Sequence, residues 1–328
     1  MNKKFIILLL SVILILSGCS KTNKESVIKE VEKKYLKQES YGLMGLMYIV
    51  SNEDKHTYDV EVVYKKDEQY KVKIKNKINN HEQIILRNNE GVYVLTPSIN
   101  KSFKFQSQWP YNNSQTYLIK NIVDDIVNDK KSTFEENKNG YIYTSKVNYS
   151  NNKKLIKQKV YIDKKYNLKK VEVFDIDNNI IMCMDIKNVE INKKYNEDYF
   201  KLETNMGLDK ENVKSVSSLE DIIYPLYMPA NTYLENKETV NNGRRVILSF
   251  TGDKNFTLIE EASTLSKTNQ IVPVFGEIQT IGDVIGTVTK TSVQWSSNGI
   301  DYYLTSSDMT VEEMTTVANS ITILPVSK

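Results

Sequence analysis

Leu16-Ser17-Gly18-Cys19 is the stretch of this chain whose residue types and spacing most plainly write out a reaction. A cysteine thiolate at a membrane surface can accept a diacylglyceryl group, and the peptidase that follows needs small side chains just before the modified residue. Ser17 and Gly18 supply those, and Leu16 supplies the apolar position ahead of them. Lys3 and Lys4 followed by the apolar run 5–16 complete a secretory signal. That run is shorter than the roughly 20 apolar residues a spanning helix needs. Lipidation at Cys19 is therefore expected, with residues 1–18 as signal peptide and 19–24 as a lipidated tether. A diacylglyceryl (palmitate-type) anchor would hold the protein to the extracytoplasmic face of the membrane, two acyl chains binding far more firmly than one.

Elsewhere the candidates for chemistry dissolve on inspection. Cys183 lies in the apolar run Ile180-Ile181-Met182-Cys183-Met184 and reads as a buried, inert thiol. His56 and His81 each open a strand in polar surroundings, which suits a surface or pairing role. Asp175-Ile176-Asp177-Asn178-Asn179 begins like a calcium loop, but Ile180 stands where glycine is required and Ile186 where a bidentate carboxylate is required. It reads as a hairpin turn. Asp124, Asp125 and Asp129 fit the solvated face of a helix. No catalytic residue, metal site or cofactor is expected, and the chain reads as non-enzymatic.

Charge divides the chain. Residues 19–200 carry 32 basic and 25 acidic side chains, whereas 201–328 carry 10 and 16. Oppositely charged halves can dock on one another, and the basic half can also face anionic headgroups. Nucleic acid is excluded as a partner by the export signal.

The elements around these residues are mostly strands. An amphipathic helix is expected at 25–37, with Val27, Ile28, Val31, Tyr35 and Leu36 on one face. Strands follow at 41–50, 56–65, 69–75, 82–87 and 92–96, separated by polar turns. In 69–75, tyrosine, valine and isoleucine alternate with lysine, so the sheet should bury one face and wet the other. Short connections make it an antiparallel meander. It is interrupted by a Pro97 turn, by the alternating Phe103 and Phe105, and by Trp109-Pro110. Ser114 then stands where it would cap a helix over 115–129 with a broad apolar face including Ile122 and Ile126. Strands resume to about residue 190. Tyr93, Phe103, Phe105, Trp109, Tyr111 and Tyr117 converge on the interruption, and part of that set could line an apolar groove.

The string Gly91-Val92-Tyr93-Val94-Leu95-Thr96-Pro97-Ser98-Ile99-Asn100-Lys101-Ser102-Phe103-Lys104-Phe105-Gln106-Ser107, followed by Trp109-Pro110, resembles the signature of the sporulation and germination lipoproteins of spore-forming Firmicutes. The order of helix, meander, second helix, further strands and a closing Phe200-Lys201-Leu202 resembles the LolA/LolB-like lipoprotein carrier fold. The resemblance implies an α+β fold in which a curved, incompletely closed antiparallel sheet, a half-barrel, wraps helices across 25–204. It also implies work in the developing spore envelope, where some members assist a cortex-modifying amidase. After a linker at 205–217, residues 218–328 resemble an α+β extracytoplasmic domain of unknown function. The motif Thr310-Val311-Glu312-Glu313 opens its last helix.

Two functional readings follow. The favoured one is a membrane-anchored scaffold that docks or positions a cell-wall protein, such as an amidase, during sporulation or germination. The alternative is a module that binds or senses a lipid, holding an acyl chain between the sheet and the helix. Under either, Tyr93, Phe103, Phe105, Trp109, Ile122 and Ile126 are the candidate ligand- or partner-binding residues.

Overall fold

The computed structural model describes residues 23–51, 54–106, 109–110, 113–149, 152–206, 219, 221–263 and 270–321. The signal segment, Cys19, Tyr111 and most of the expected linker lie outside the described residues.

The described residues open with helix α1 (Lys24–Val31), which runs into a π-helical turn (Glu32–Leu36). Asn23 caps α1, its side chain accepting from the Ser26 amide at 2.8 Å. Strands β1 (Ser40–Ser51), β2 (Asp54–Lys65), β3 (Gln69–Asn76), β4 (Glu82–Asn88), β5 (Gly91–Thr96) and β6 (Lys101–Phe105) form the first meander. Helix α2 (Ile119–Asn128) interrupts it. Strands β7 (Thr133–Asn137), β8 (Gly140–Lys146), β9 (Leu155–Asp163), β10 (Leu168–Asp175) and β11 (Ile180–Ile191) follow, then the short helix α3 (Leu202–Met206). The remainder supplies β12 (Thr232–Val240), β13 (Arg245–Gly252), β14 (Phe256–Ala262), β15 (Gln270–Val274), β16 (Glu277–Ile281), β17 (Val284–Val288), β18 (Ser292–Ser297), β19 (Ile300–Thr305) and α4 (Val311–Asn319).

Two sheets result. The larger has the order β15-β6-β5-β4-β3-β2-β1-β11-β10-β9-β8-β7, curved and unclosed. The smaller runs β12-β13-β14-β19-β18-β17-β16. The architecture is α+β and dominated by sheet. On the concave side of the large sheet, Val27, Ile28 and Val31 of α1 and Ile119, Ile122, Val123 and Ile126 of α2 enter one core with Val60, Val62, Val72 and Val94. Strand β3 buries every second residue, so the alternation of its lysines survives in the structure.

Two local expectations are corrected, and one strand is new. Helix α2 starts four residues later than its apolar pattern suggests, because Ser114 is engaged elsewhere. Its hydroxyl accepts from the Asn148 amide at 2.7 Å, and Leu118 precedes the helix without a side-chain cap. The sheet does not wet one whole face: Phe200, Leu202 and Met206 fold back and cover Val63, Ile84, Leu86, Tyr93 and Leu95, so β4 and β5 are buried on both sides. Strand β15, broken in sequence by Pro273, pairs in parallel with β6 from Gln270 against Lys101 to Val274 against Phe105. Its place at the end of the sheet is one a proline tolerates.

Candidate functional site: the junction between the half-barrel and its C-terminal region

Phe103 and Phe105 face the concave core because β6 pairs with β5 in the register Val94 with Phe103 and Val92 with Phe105. Tyr93 has the opposite parity. It lies across from Lys104, whose ammonium sits 5.4 Å from its ring centre, and packs in the small core beneath Phe200. Trp109 meets Tyr70 edge-on at 6.0 Å, and its carbonyl accepts from Arg87 at 2.7 Å. Ile122 and Ile126 are buried on α2. Five of the six candidate residues thus share one core and Tyr93 does not.

Those five side chains are packed rather than lining open space. A void of about 150 Å³ does exist on the concave side, bounded by Met47, Ile49 and Ile85 of the sheet, Tyr117 before α2, and Ile278 and Ile285 of the C-terminal region. None of the six candidates borders it. Burial there pushes the Tyr117 and Tyr149 phenols well above their ordinary range. The Gln279 Oε1 on its wall is buried with no partner.

The residues that close the concavity come from the second half. Val274 and Ile285 belong to the main core, and Val272 and Ile278 pack against it. Polar contacts hold this insert in place. The Gln83 side chain, almost fully buried, donates to the Ile285 carbonyl at 3.2 Å and accepts from the Ile285 amide at 2.6 Å. It therefore behaves like one residue of an adjoining strand. Lys101 Nζ meets Asp301 at 2.7 Å with both side chains largely shielded, and Ser296 donates to the same carboxylate at 2.5 Å. Asn79 donates to Asp283 at 2.7 Å. The oppositely charged halves are docked, with cations from one and carboxylates from the other.

Other singled-out residues resolve as structure. Cys183 is buried on β11 opposite Tyr48, and burial pushes its thiol up to about 11, which suits an inert thiol. His81 is partly buried at the turn between β3 and β4, and burial pushes its imidazole below the usual value. Asp175 accepts from the Asp177 and Asn179 amides at 2.9 and 2.8 Å, the geometry of a turn. The aspartates of α2 are not one solvated face. Asp124 pairs with Lys120, Asp129 accepts from the Lys131 and Lys146 amides, and Asp125 is drawn inward, where burial raises its carboxyl to about 7. Among the described residues no group of three His, Cys, Asp or Glu is placed to hold a metal ion. No helix among them is long and apolar enough to cross a membrane.

Sequence comparison adds a relative. The chain is 35% identical over 328 residues to the sporulation protein YdcC of Bacillus subtilis (strain 168), covering 98% of this chain and 97% of that protein. The chain belongs to the family of that sporulation protein. No family model matches it. Solved structures with related outlines include MucB, at 9% identity and a TM-score of 0.33 over 90% of this chain and 96% of MucB. The LolA superfamily protein NE2245 of Nitrosomonas europaea matches at 11% identity and a TM-score of 0.33 over 56% of this chain and 99% of its own. A structure of the CwlD amidase of Clostridioides difficile in complex with the GerS lipoprotein gives 18% identity and a TM-score of 0.29, over 54% of this chain and 96% of the matched one. The open sheet, with α1 and α2 packed into the core on one side of it, is this chain's own architecture.

Proposed function

We propose that this sporulation-family protein is a non-enzymatic scaffold, anchored through a diacylglyceryl group on Cys19 to the extracytoplasmic face of a membrane, that docks and positions a cell-wall protein. The observation that carries this reading is the filled concavity. Val274 and Ile285 pack into the core on the concave side, and the void left beside them, about 150 Å³, is half the ~300 Å³ at which small-molecule sites begin. An exposed apolar surface is available instead. Tyr224, Leu226, Tyr227 and Met228 are 42, 70, 45 and 38% exposed in the short stretch 224–228, in which Pro225 follows Tyr224 and Pro229 follows Met228. Surface apolar residues are common singly, whereas such a run marks a docking surface. The partner class is a cortex-modifying amidase, as the resemblance of residues 91–110 implies. Tyr93, Phe103, Phe105, Trp109, Ile122 and Ile126 then act by holding the scaffold's shape.

Native mass spectrometry on residues 20–328, purified gently without the signal, tests the choice against an acyl-chain carrier. The whole chain is needed because β15, Val274 and Ile285 complete the first sheet and core. A clean apo mass is the expected result. A stoichiometric co-purifying lipid would overturn the scaffold reading in favour of the carrier.

A further inference from the structure

We infer that the end of the half-barrel where the chain enters the fold, marked by Lys24, Val127, Lys130, Lys131 and Lys146, is the face that rests on an anionic phospholipid surface. This rests on the anchoring reading above and adds an orientation to it. Only three residues, spanned by four residue-to-residue steps, lie between Cys19 and Asn23, the first of the described residues. Those four steps can reach at most about 14 Å, so an anchor at Cys19 holds the surface around Lys24 beside the bilayer.

Three separate segments bring cations to that surface. Lys24 Nζ donates to the Ser132 carbonyl at 3.0 Å, tying the start of α1 to the turn after α2. Asp129 accepts from the Lys131 and Lys146 amides, both at 2.9 Å, which brings that turn and the end of β8 together. The Lys146 amide hydrogen bond, with the Lys131 amide and the Lys146 and Lys24 charges, holds the Asp129 carboxyl below its ordinary range. Lys130, Lys131 and Lys146 are exposed. The opposing carboxylates on these segments are Glu25, Asp129 and Glu135, three against the four lysines. Asp124, one turn back on α2, is paired with Lys120, and Glu136, further along β7, with Lys164. The face is therefore net positive. Val127, 53% exposed on the last turn of α2, gives it an apolar tip that can enter the headgroup layer.

Each lysine near an anionic bilayer strengthens partitioning by about fivefold, the equivalent of ~1 kcal/mol. The test uses residues 19–328 carrying Cys19→Ser, so that no lipid is attached, and sedimentation with vesicles of phosphatidylglycerol and phosphatidylcholine. Binding is expected at about 50 mM salt and should be lost near 0.5 M, where the screening length is only a few ångströms. The triple variant Lys130→Glu, Lys131→Glu, Lys146→Glu should lose at least tenfold in partitioning. A control with the same charge change at the exposed Lys187, Lys237 and Lys290 should lose much less. Equal losses in both, or none in the first, would overturn the inference. The anchor is read separately, from the mass of full-length protein extracted from membranes. Absence of a diacylglyceryl addition there would sink the anchoring reading and leave the vesicle result standing.

Discussion

Gln83 and Ile285 are joined by two hydrogen bonds, amide side chain to backbone, across the line where the half-barrel meets its C-terminal region. Both partners are buried, so neither can turn to water when the other is lost. Replacing Gln83 by leucine keeps the volume and strands the Ile285 N–H and carbonyl. A buried backbone group left unpaired costs about 1–3 kcal/mol. Gln83→Leu should therefore lower the stability read by urea unfolding by a comparable amount, and a variant as stable as the parent would show that Gln83 does not hold the junction.

Lys101 and Asp301 make the second clamp, at 2.7 Å, with Lys101 also 4.9 Å from the Phe103 ring centre. Removing one member of a shielded pair leaves an uncompensated charge, at a cost of about 3–5 kcal/mol, while removing both is often nearly neutral. Asp301→Leu should be strongly destabilising, and Lys101→Met combined with Asp301→Leu should recover much of the loss. Thermal unfolding of the two single variants and the double variant measures this coupling. Additive losses would mean that the two side chains are energetically independent.

The legibility of these features in the sequence was uneven, for physical reasons. The meander and the amphipathic α1 were plain because alternation and helical spacing are local properties. Strand β3 shows its register in the lysines themselves. Proximity in the chain places Tyr93 with Phe103 and Phe105, although strand parity sends it to the other face. Strand β15 was hidden by Pro273. Its partner β6 lies more than 160 residues earlier, and no local pattern reports so distant a pairing. Gln83 and Lys101 look like ordinary strand polar residues until Ile285 and Asp301 arrive opposite them. Cys19 remains a matter of sequence alone, outside the described residues.

Glu260 carries a pH dependence of stability. It is fully buried on β14, and both of its oxygens accept from the Ile223 amide, at 3.1 and 3.2 Å. Burial raises its carboxyl to about 7 from the usual 4.5. The folded state thus binds this proton more tightly than the unfolded state, and between about pH 4.5 and 7 folding is coupled to proton uptake. Stability contributed by the protonated form is fully present below about pH 4.5 and is lost as pH rises through 7. Glu260→Gln keeps an acceptor for Ile223 and abolishes the titration. The variant should gain on the parent progressively over that interval, by about 2–3 kcal/mol at pH 7.5. A difference between the two proteins that does not change with pH would rule out this role for Glu260.

The exposed run at 224–228 separates docking from folding. Leu226 and Tyr227 are tied to the body through backbone amides, Leu226 to the Ser320 carbonyl at 3.3 Å and Tyr227 to the Ser320 hydroxyl at 3.0 Å, while their side chains face solvent. Serine at both positions leaves those backbone bonds intact. Surface substitutions of this kind usually shift stability by no more than about 0.5 kcal/mol. An apolar anchor lost from a protein interface commonly costs more than about 1 kcal/mol of binding. Leu226→Ser with Tyr227→Ser should therefore unfold at the parent's urea midpoint yet, on the docking reading proposed above, fail to support sporulation when it replaces the parent gene. Full sporulation with a stably folded double variant would remove this surface from the docking role, and the search would move to the exposed β12 edge of the smaller sheet.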